Sequence, residues 1–163
     1  MNLDDEMMNS DELYMRRVLE LAEQGKDQVA PNPMVGCIIV KDDSIIGEGW
    51  HQEYGKAHAE RNAIDSVKDP SQIPGSTVYV NLEPCSHFGK TPPCSDILIR
   101  NKVKRVVISN IDPNPLVDGG GIKKLQEAGI EVNVGILKEE SEALNRAFFQ
   151  YIRPKTSPES VVS

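Results

Sequence analysis

Apolar residues recur along the chain with two periods, and the alternation between those periods sets the expected architecture. Tyr14, Val18, Leu21 and Ala22 fall on one face of a helix. Asn9 or Ser10 can cap it, Glu12 completes a capping box from Asn9, and Gly25 is its stop. Val35 to Lys41 is β-branched and apolar. The turn-like Lys41-Asp42-Asp43 separates it from Ser44 to Gly49, so the two runs predict an antiparallel hairpin. His58 opens a helix to about Lys68, with Ala63, Ile64 and Val67 on its inner face. Thr77 to Leu82 predicts a strand, Cys94 begins a helix through Ile97, Leu98 and Ile99, and Val103 to Ser109 returns as a strand. A helix over Ile122 to Ala128, a short strand over Glu131 to Val134 and a final helix from Lys138 to about Ile152 complete the pattern. Strands alternating with helices behind an opening hairpin imply an α/β domain whose mixed sheet is covered on both faces.

At 163 residues the chain suits one domain with a real core and is short for two. The residues Pro154 to Ser163, rich in Ser and Pro, read as a frayed tail behind a domain spanning 1–153. The formal net charge of −7, with no Lys/Arg cluster, argues against nucleic acid as a partner. A small phosphorylated substrate needs only one or two local cations. No apolar run approaches the roughly 18 residues of a membrane helix, and the acidic N-terminus is unlike a signal peptide. The three cysteines are an odd number. A reducing cytoplasm is their natural setting.

His58-Ala59-Glu60, followed by Pro84-Cys85 and Pro93-Cys94, carries the chemistry. Imidazole and thiolate suit tetrahedral zinc, and a site with three protein ligands leaves the fourth position for water, which the ion acidifies to a pKa of about 7. An H-x-E segment with a later P-C-x-x-C is the signature of zinc deaminases of nucleobases, where the Glu moves protons and does not bind the ion. Here eight residues separate the cysteines, in place of the usual two. His-Ala-Glu alone reads equally well as a helix cap followed by a first-turn acid. The two Pro-Cys pairs at strand-to-helix junctions turn the reading to a metal site of His58, Cys85 and Cys94. A closed structural zinc site is the alternative, with His87 or His51 completing the shell. Cys37, in mid-strand within an apolar run, reads as core.

Across nearly its whole length the sequence resembles the deaminase domain of the bifunctional deaminase/reductase family of riboflavin biosynthesis. The matching stretches are Pro31 to Gly36, Gly47 to His51, His58-Ala59-Glu60, Val80 to Cys94, and Asp112 to Pro115 with Gly119-Gly120-Gly121. The segment from Cys85 through Ser86-His87-Phe88-Gly89-Lys90-Thr91-Pro92-Pro93 to Cys94 is the most specific of them. The resemblance implies a cytidine-deaminase-like fold, three-layer α/β/α with a sheet of about five strands. It also implies one zinc ion per chain, a homo-oligomer, and hydrolytic removal of an amino group from a pyrimidinone bearing a phosphorylated ribosylamino chain. In that family a reductase domain follows from a segment near Arg153-Pro154. This chain offers no room for it, so it reads as a monofunctional deaminase or as a fragment of a longer chain.

On that reading Glu60 takes a proton from the attacking water, delivers it to the ring nitrogen and helps ammonia leave. Asn32, between two prolines, presents an amide that donates and accepts to a pyrimidine edge. His51 is a substrate contact by resemblance. His87 and Lys90 are tethered near the ion, and Lys90 with Thr91 suits a phosphate or a ring carbonyl. Asp112 and Asn114 sit after a strand, at the carboxyl edge where α/β ligands bind, and suit ribose hydroxyls. Glu83 is assigned as support for the metal ligands. Two further readings stay open: a deaminase of another base or nucleotide, and a silent module that binds a pyrimidine or props up a separate reductase.

Overall fold

A computed structural model of the chain describes residues 3–86, 92–113 and 119–152, with side chains from 10 to 150 within those ranges. Every predicted strand forms. β1 (Gly36–Lys41) and β2 (Ser44–Trp50) make the hairpin, and β3 (Thr77–Leu82), β4 (Arg105–Asn110) and β5 (Glu131–Val134) extend it to a five-stranded sheet ordered β2-β1-β3-β4-β5. β1 runs antiparallel to both β2 and β3, whereas β3, β4 and β5 are mutually parallel neighbours. This is the mixed α/β sheet that the hydrophobic pattern implies.

Both faces of the central strands are apolar, and residue parity sorts them. Cys37 and Ile39, Val78 and Val80, and Val106 and Ile108 form one cluster with Ala63, Leu98 and Leu125. Those last three belong to α2 (Ala59–Ser66), α3 (Cys94–Arg100) and α4 (Gly120–Glu127). The alternate residues Ile38, Val40, Tyr79 and Val107 meet Met15, Val18 and Leu21 of α1 (Leu3–Glu23) on the other face. Side chains a period of two apart point the same way, so a strand buried twice reads as one continuous apolar run. α5 (Lys138–Leu144), which packs on β4 and α1, and α6 (Arg146–Ile152) complete the helices. Cys37 is fully buried, as its place in an apolar strand predicts. A Cβ at Gly49 of β2 would press on the Ala63 backbone and stand 2.8 Å from the Ala59 carbonyl, so the bare backbone lets α2 lie directly on the strand.

The helices depart from expectation at three places. α1 begins at Leu3, so Asn9 and Ser10 lie within it and do not cap it; nothing from Asp4 to Met8 is a Gly or Pro that would stop a helix. The long final helix is two helices, broken at Asn145 (φ −109, ψ 32), whose side chain is engaged elsewhere. α2 stops at Ser66, short of Lys68. Among the strands, β4 starts two residues late, because Lys102 turns through the left-handed region (φ 58) and Val103 drops into the core. Among the described residues no helix is long and apolar enough to cross a membrane. The tail Pro154 to Ser163, together with His87, Lys90, Thr91 and Asn114, lies outside the described residues.

Candidate active site

Three chain segments deliver His58, Cys85 and Cys94 to one point. His58 is the N-cap residue of α2, Cys85 follows Pro84 beyond the end of β3, and Cys94 is the first residue of α3. Their ligand atoms all lie within 4.8 Å of one another. His58 Nδ1 is 3.5 Å from Cys94 Sγ and 3.9 Å from Cys85 Sγ. Zinc bonds of about 2.3 Å to sulfur and about 2.05 Å to nitrogen, opened to the tetrahedral angle, set S and N about 3.6 Å apart. The donor set and its spacing therefore fit that ion. The Cys94 backbone N–H donates to Cys85 Sγ at 3.1 Å, and the Ser95 N–H to the Cys85 carbonyl at 3.1 Å, so the start of α3 holds the Cys85 loop in place.

A hydrogen bond from the Cys94 thiol draws Cys85 well below the usual thiol range, with help from His58 and the Cys94 N–H, while the same bond and burial push Cys94 up. The hydrogen bond to Cys85 also raises His58, against burial. Glu60, two residues past His58, is 4% exposed, and burial followed by the nearby Cys85 charge pushes its carboxyl up to about 7. A carboxyl poised there can both take and return a proton at neutral pH.

Asn32 and His51 form a second unit. His51 is only 3% exposed although it follows the end of β2. Its Nδ1 lies 3.1 Å from the Ala57 carbonyl, which can only accept, so Nδ1 carries the proton and Nε2 is bare. Asn32 Nδ2 donates to that Nε2 at 3.2 Å, which leaves Asn32 Oδ1 for another donor. Burial lowers the His51 pKa, the direction that favours the neutral ring this chain of bonds requires. The His51 and His58 rings stand edge to face, 5.4 Å apart.

Glu83 does something the sequence did not suggest. It is 3% exposed, and its carboxylate accepts three backbone N–H groups: Asp112 at 3.2 Å, Gly119 at 3.0 Å and Ile122 at 3.1 Å. It therefore anchors both ends of the loop after β4 and caps α4, rather than supporting the metal ligands. Gly119 adopts φ +77 at that cap, and a Cβ on Gly121 would collide with the Pro84 carbonyl, so the triple glycine serves this junction. Asp112 is thereby held at the pocket.

Asn32, His51, His58, Glu60, Cys85 and Asp112 all line one cavity of about 240 Å³, closed by the apolar side chains of Val35, Leu82 and Phe148. A wider hollow of about 750 Å³ opens on the far side of Asn32 and His58, with Lys56 and Arg61 on its rim. Sequence reading passed over Lys56, Arg61 and Phe148. The two cations flank the motif in an ordinary polar stretch, and Phe148 looks like one more apolar helix residue.

The model of the cytidine and deoxycytidylate deaminase zinc-binding region matches residues 8–110. A diaminohydroxyphosphoribosylamino-pyrimidine deaminase of Buchnera aphidicola is 51% identical over 144 residues, 88% of this chain and 97% of that protein. A riboflavin biosynthesis protein RibD of Actinobacillus pleuropneumoniae is 54% identical over 142 residues, 87% of this chain but 37% of that longer protein. Among solved structures, a diaminohydroxyphosphoribosylaminopyrimidine deaminase/5-amino-6-(5-phosphoribosylamino)uracil reductase of Thermotoga maritima superposes with a TM-score of 0.87 at 46% identity, covering 91% of this chain and 43% of that one. The chain thus spans little more than a third of the RibD protein and almost all of the Buchnera deaminase.

Proposed function

The chain belongs to the zinc-binding cytidine and deoxycytidylate deaminase family, and within it to the diaminohydroxyphosphoribosylaminopyrimidine deaminases, and we propose that it converts 2,5-diamino-6-(5-phosphoribosylamino)pyrimidin-4-one to the corresponding uracil. The observation that carries this reading is the meeting of His58, Cys85 and Cys94 within 4.8 Å beside a buried Glu60, all but Cys94 lining one cavity. Zinc held by those three side chains supplies Lewis acidity that makes a water reactive at neutral pH. Glu60 accepts a proton as water adds to the ring carbon bearing the amine, and passes it to the ring nitrogen. It then takes the proton left on the added hydroxyl and gives it to the departing amine, so that ammonia leaves and a carbonyl remains.

Asn32 Oδ1 accepts from an N–H of the pyrimidine, in an orientation that His51 fixes through its bare Nε2. Asp112 and Asn114 are assigned to the ribose hydroxyls, and His87, Lys90 and Thr91 to the ring and its phosphorylated chain. On this reading the protein works in the cytoplasm, where reducing conditions keep Cys85 and Cys94 available as ligands, and as a homo-oligomer. The test is ammonia release by the zinc-loaded protein from the diaminopyrimidinone, with cytidine, dCMP and guanine alongside. Turnover of the diaminopyrimidinone alone is expected. Preference for another base discards the substrate, and bound zinc with no turnover of any base discards the enzyme.

A further inference from the structure

The end of the chain reaches the pocket through one residue pair. Asn145, 4% exposed at the break between α5 and α6, grips both polar groups of Met34. Its Oδ1 accepts from the Met34 N–H and its Nδ2 donates to the Met34 carbonyl, each at 2.7 Å. The same carbonyl takes a second hydrogen bond from Asn81 Nδ2 at 3.1 Å, and the Asn81 carbonyl accepts in turn from Ser141 Oγ of α5 at 3.3 Å. Met34 closes the Pro31–Met34 loop that carries Asn32. The turn between α5 and α6 is therefore tied to that loop by both polar groups of one side chain.

One helical turn further on, Phe148 lines the cavity shared by Asn32, Glu60 and Cys85, and no other Phe, Tyr or Trp among the described residues does so. It also borders the groove behind, with Met34 and Leu144, so its ring is a partition between two hollows. Its neighbour Phe149 is buried and meets it edge to face at 5.7 Å, which limits how far the ring can swing. The polar groups of the cavity can address only the edge of a flat heterocycle. Its faces need apolar surface, and an aromatic ring serves every base because each has a π-face.

We infer that Phe148 is the stacking surface for the substrate's pyrimidine ring, and that Asn145 is the positioning residue that sets this surface against Asn32. The inference rests on the deaminase reading of the same site. Removing an aromatic platform of this kind weakens base binding by about 5- to 150-fold. The decisive comparison is between Phe148→Leu, which keeps apolar bulk and loses the π-face, and Phe148→Tyr, which keeps the ring. Calorimetric binding of the deaminated uracil product to zinc-loaded protein gives Kd, ammonia release gives KM and kcat, and a melting curve gives Tm.

The expected result is a Kd and KM raised about tenfold in the Leu variant, with kcat and Tm little changed and the Tyr variant close to the original protein. Asn145→Asp, which keeps the acceptor for the Met34 N–H and loses the donor to its carbonyl, should raise KM in the same direction. Equal binding by the Leu variant, equal loss in the Leu and Tyr variants, or a lowered Tm without weaker binding would overturn the inference while leaving the deaminase in place. An unsubstituted protein that neither binds the product nor releases ammonia removes the deaminase reading, and the stacking surface with it.

Discussion

Glu60 and Glu83 line the same cavity and are equally sealed from water, yet the molecule treats them in opposite ways. Glu83 is surrounded by donors: three backbone N–H groups from two ends of a loop converge on its carboxylate. Glu60 has the nearby His58 charge and its own N–H to set against burial and the Cys85 charge, and its pKa is pushed up to about 7. A buried charge is costly unless donors offset the cost. Where they do, the carboxylate becomes a structural joint. Where they do not, the group is left ready to change its protonation state, and that readiness is what acid–base catalysis uses.

The contrast makes its largest prediction at Glu60. Replacing it with Gln should leave zinc content unchanged, should not lower the melting temperature, and should cut ammonia release by about 10²- to 10⁴-fold. A variant with normal turnover would remove Glu60 from the chemistry. Glu83→Gln should do the reverse. An amide puts an NH₂ where backbone donors converge, so stability should fall by about 1–3 kcal/mol in a denaturant titration, with zinc retained. If that variant is as stable as the original protein, the distinction between the two carboxylates is broken.

A third carboxylate sharpens the comparison from the outside. Glu48 is half-exposed on β2 and takes a two-pronged hydrogen bond from Arg17 of α1, at 2.7 and 3.0 Å. That bond holds its carboxyl below the ordinary value of 4.5. A depressed pKa contributes stability that is present above the unfolded value and lost as pH falls through the folded one. Glu48→Gln should therefore cost about 1 kcal/mol or less at pH 7. The deficit should shrink toward pH 3, as melting curves at the two pH values will report.

The sequence displayed some of this and hid the rest for physical reasons. The strands were legible because residues such as Ile38 and Ile39 are both buried, and a run apolar at both parities has few other uses. The metal ligands were legible because His-x-Glu and Pro-Cys pairs leave few alternatives once they occur together. The role of Glu83 was hidden because its partners are main-chain N–H groups around residues 112, 119 and 122, and backbone donors carry no sequence signal. The break at Asn145 was hidden too. The stretch Ser141 to Gln150 holds no Gly or Pro, and what interrupts it is the grip on Met34, a contact across 111 residues. His51 lines the cavity, but its burial and its hold on Asn32 depend on the Ala57 carbonyl, which only the folded chain brings near.

That grip on Met34 also bears on how the molecule assembles. His58 and Cys94, the most widely separated of the metal ligands, are 36 residues apart, whereas Met34 and Asn145 are 111 apart. Contacts close in sequence form early in folding, and distant ones wait for the loop between them to be ordered. A chain emerging from the ribosome can therefore gather its ion-binding side chains while its last two helices are still being made. Its Asn32 loop gains its final clasp only after residue 145 has been synthesised, so binding an ion and presenting a finished pocket become separate events in the life of the nascent protein.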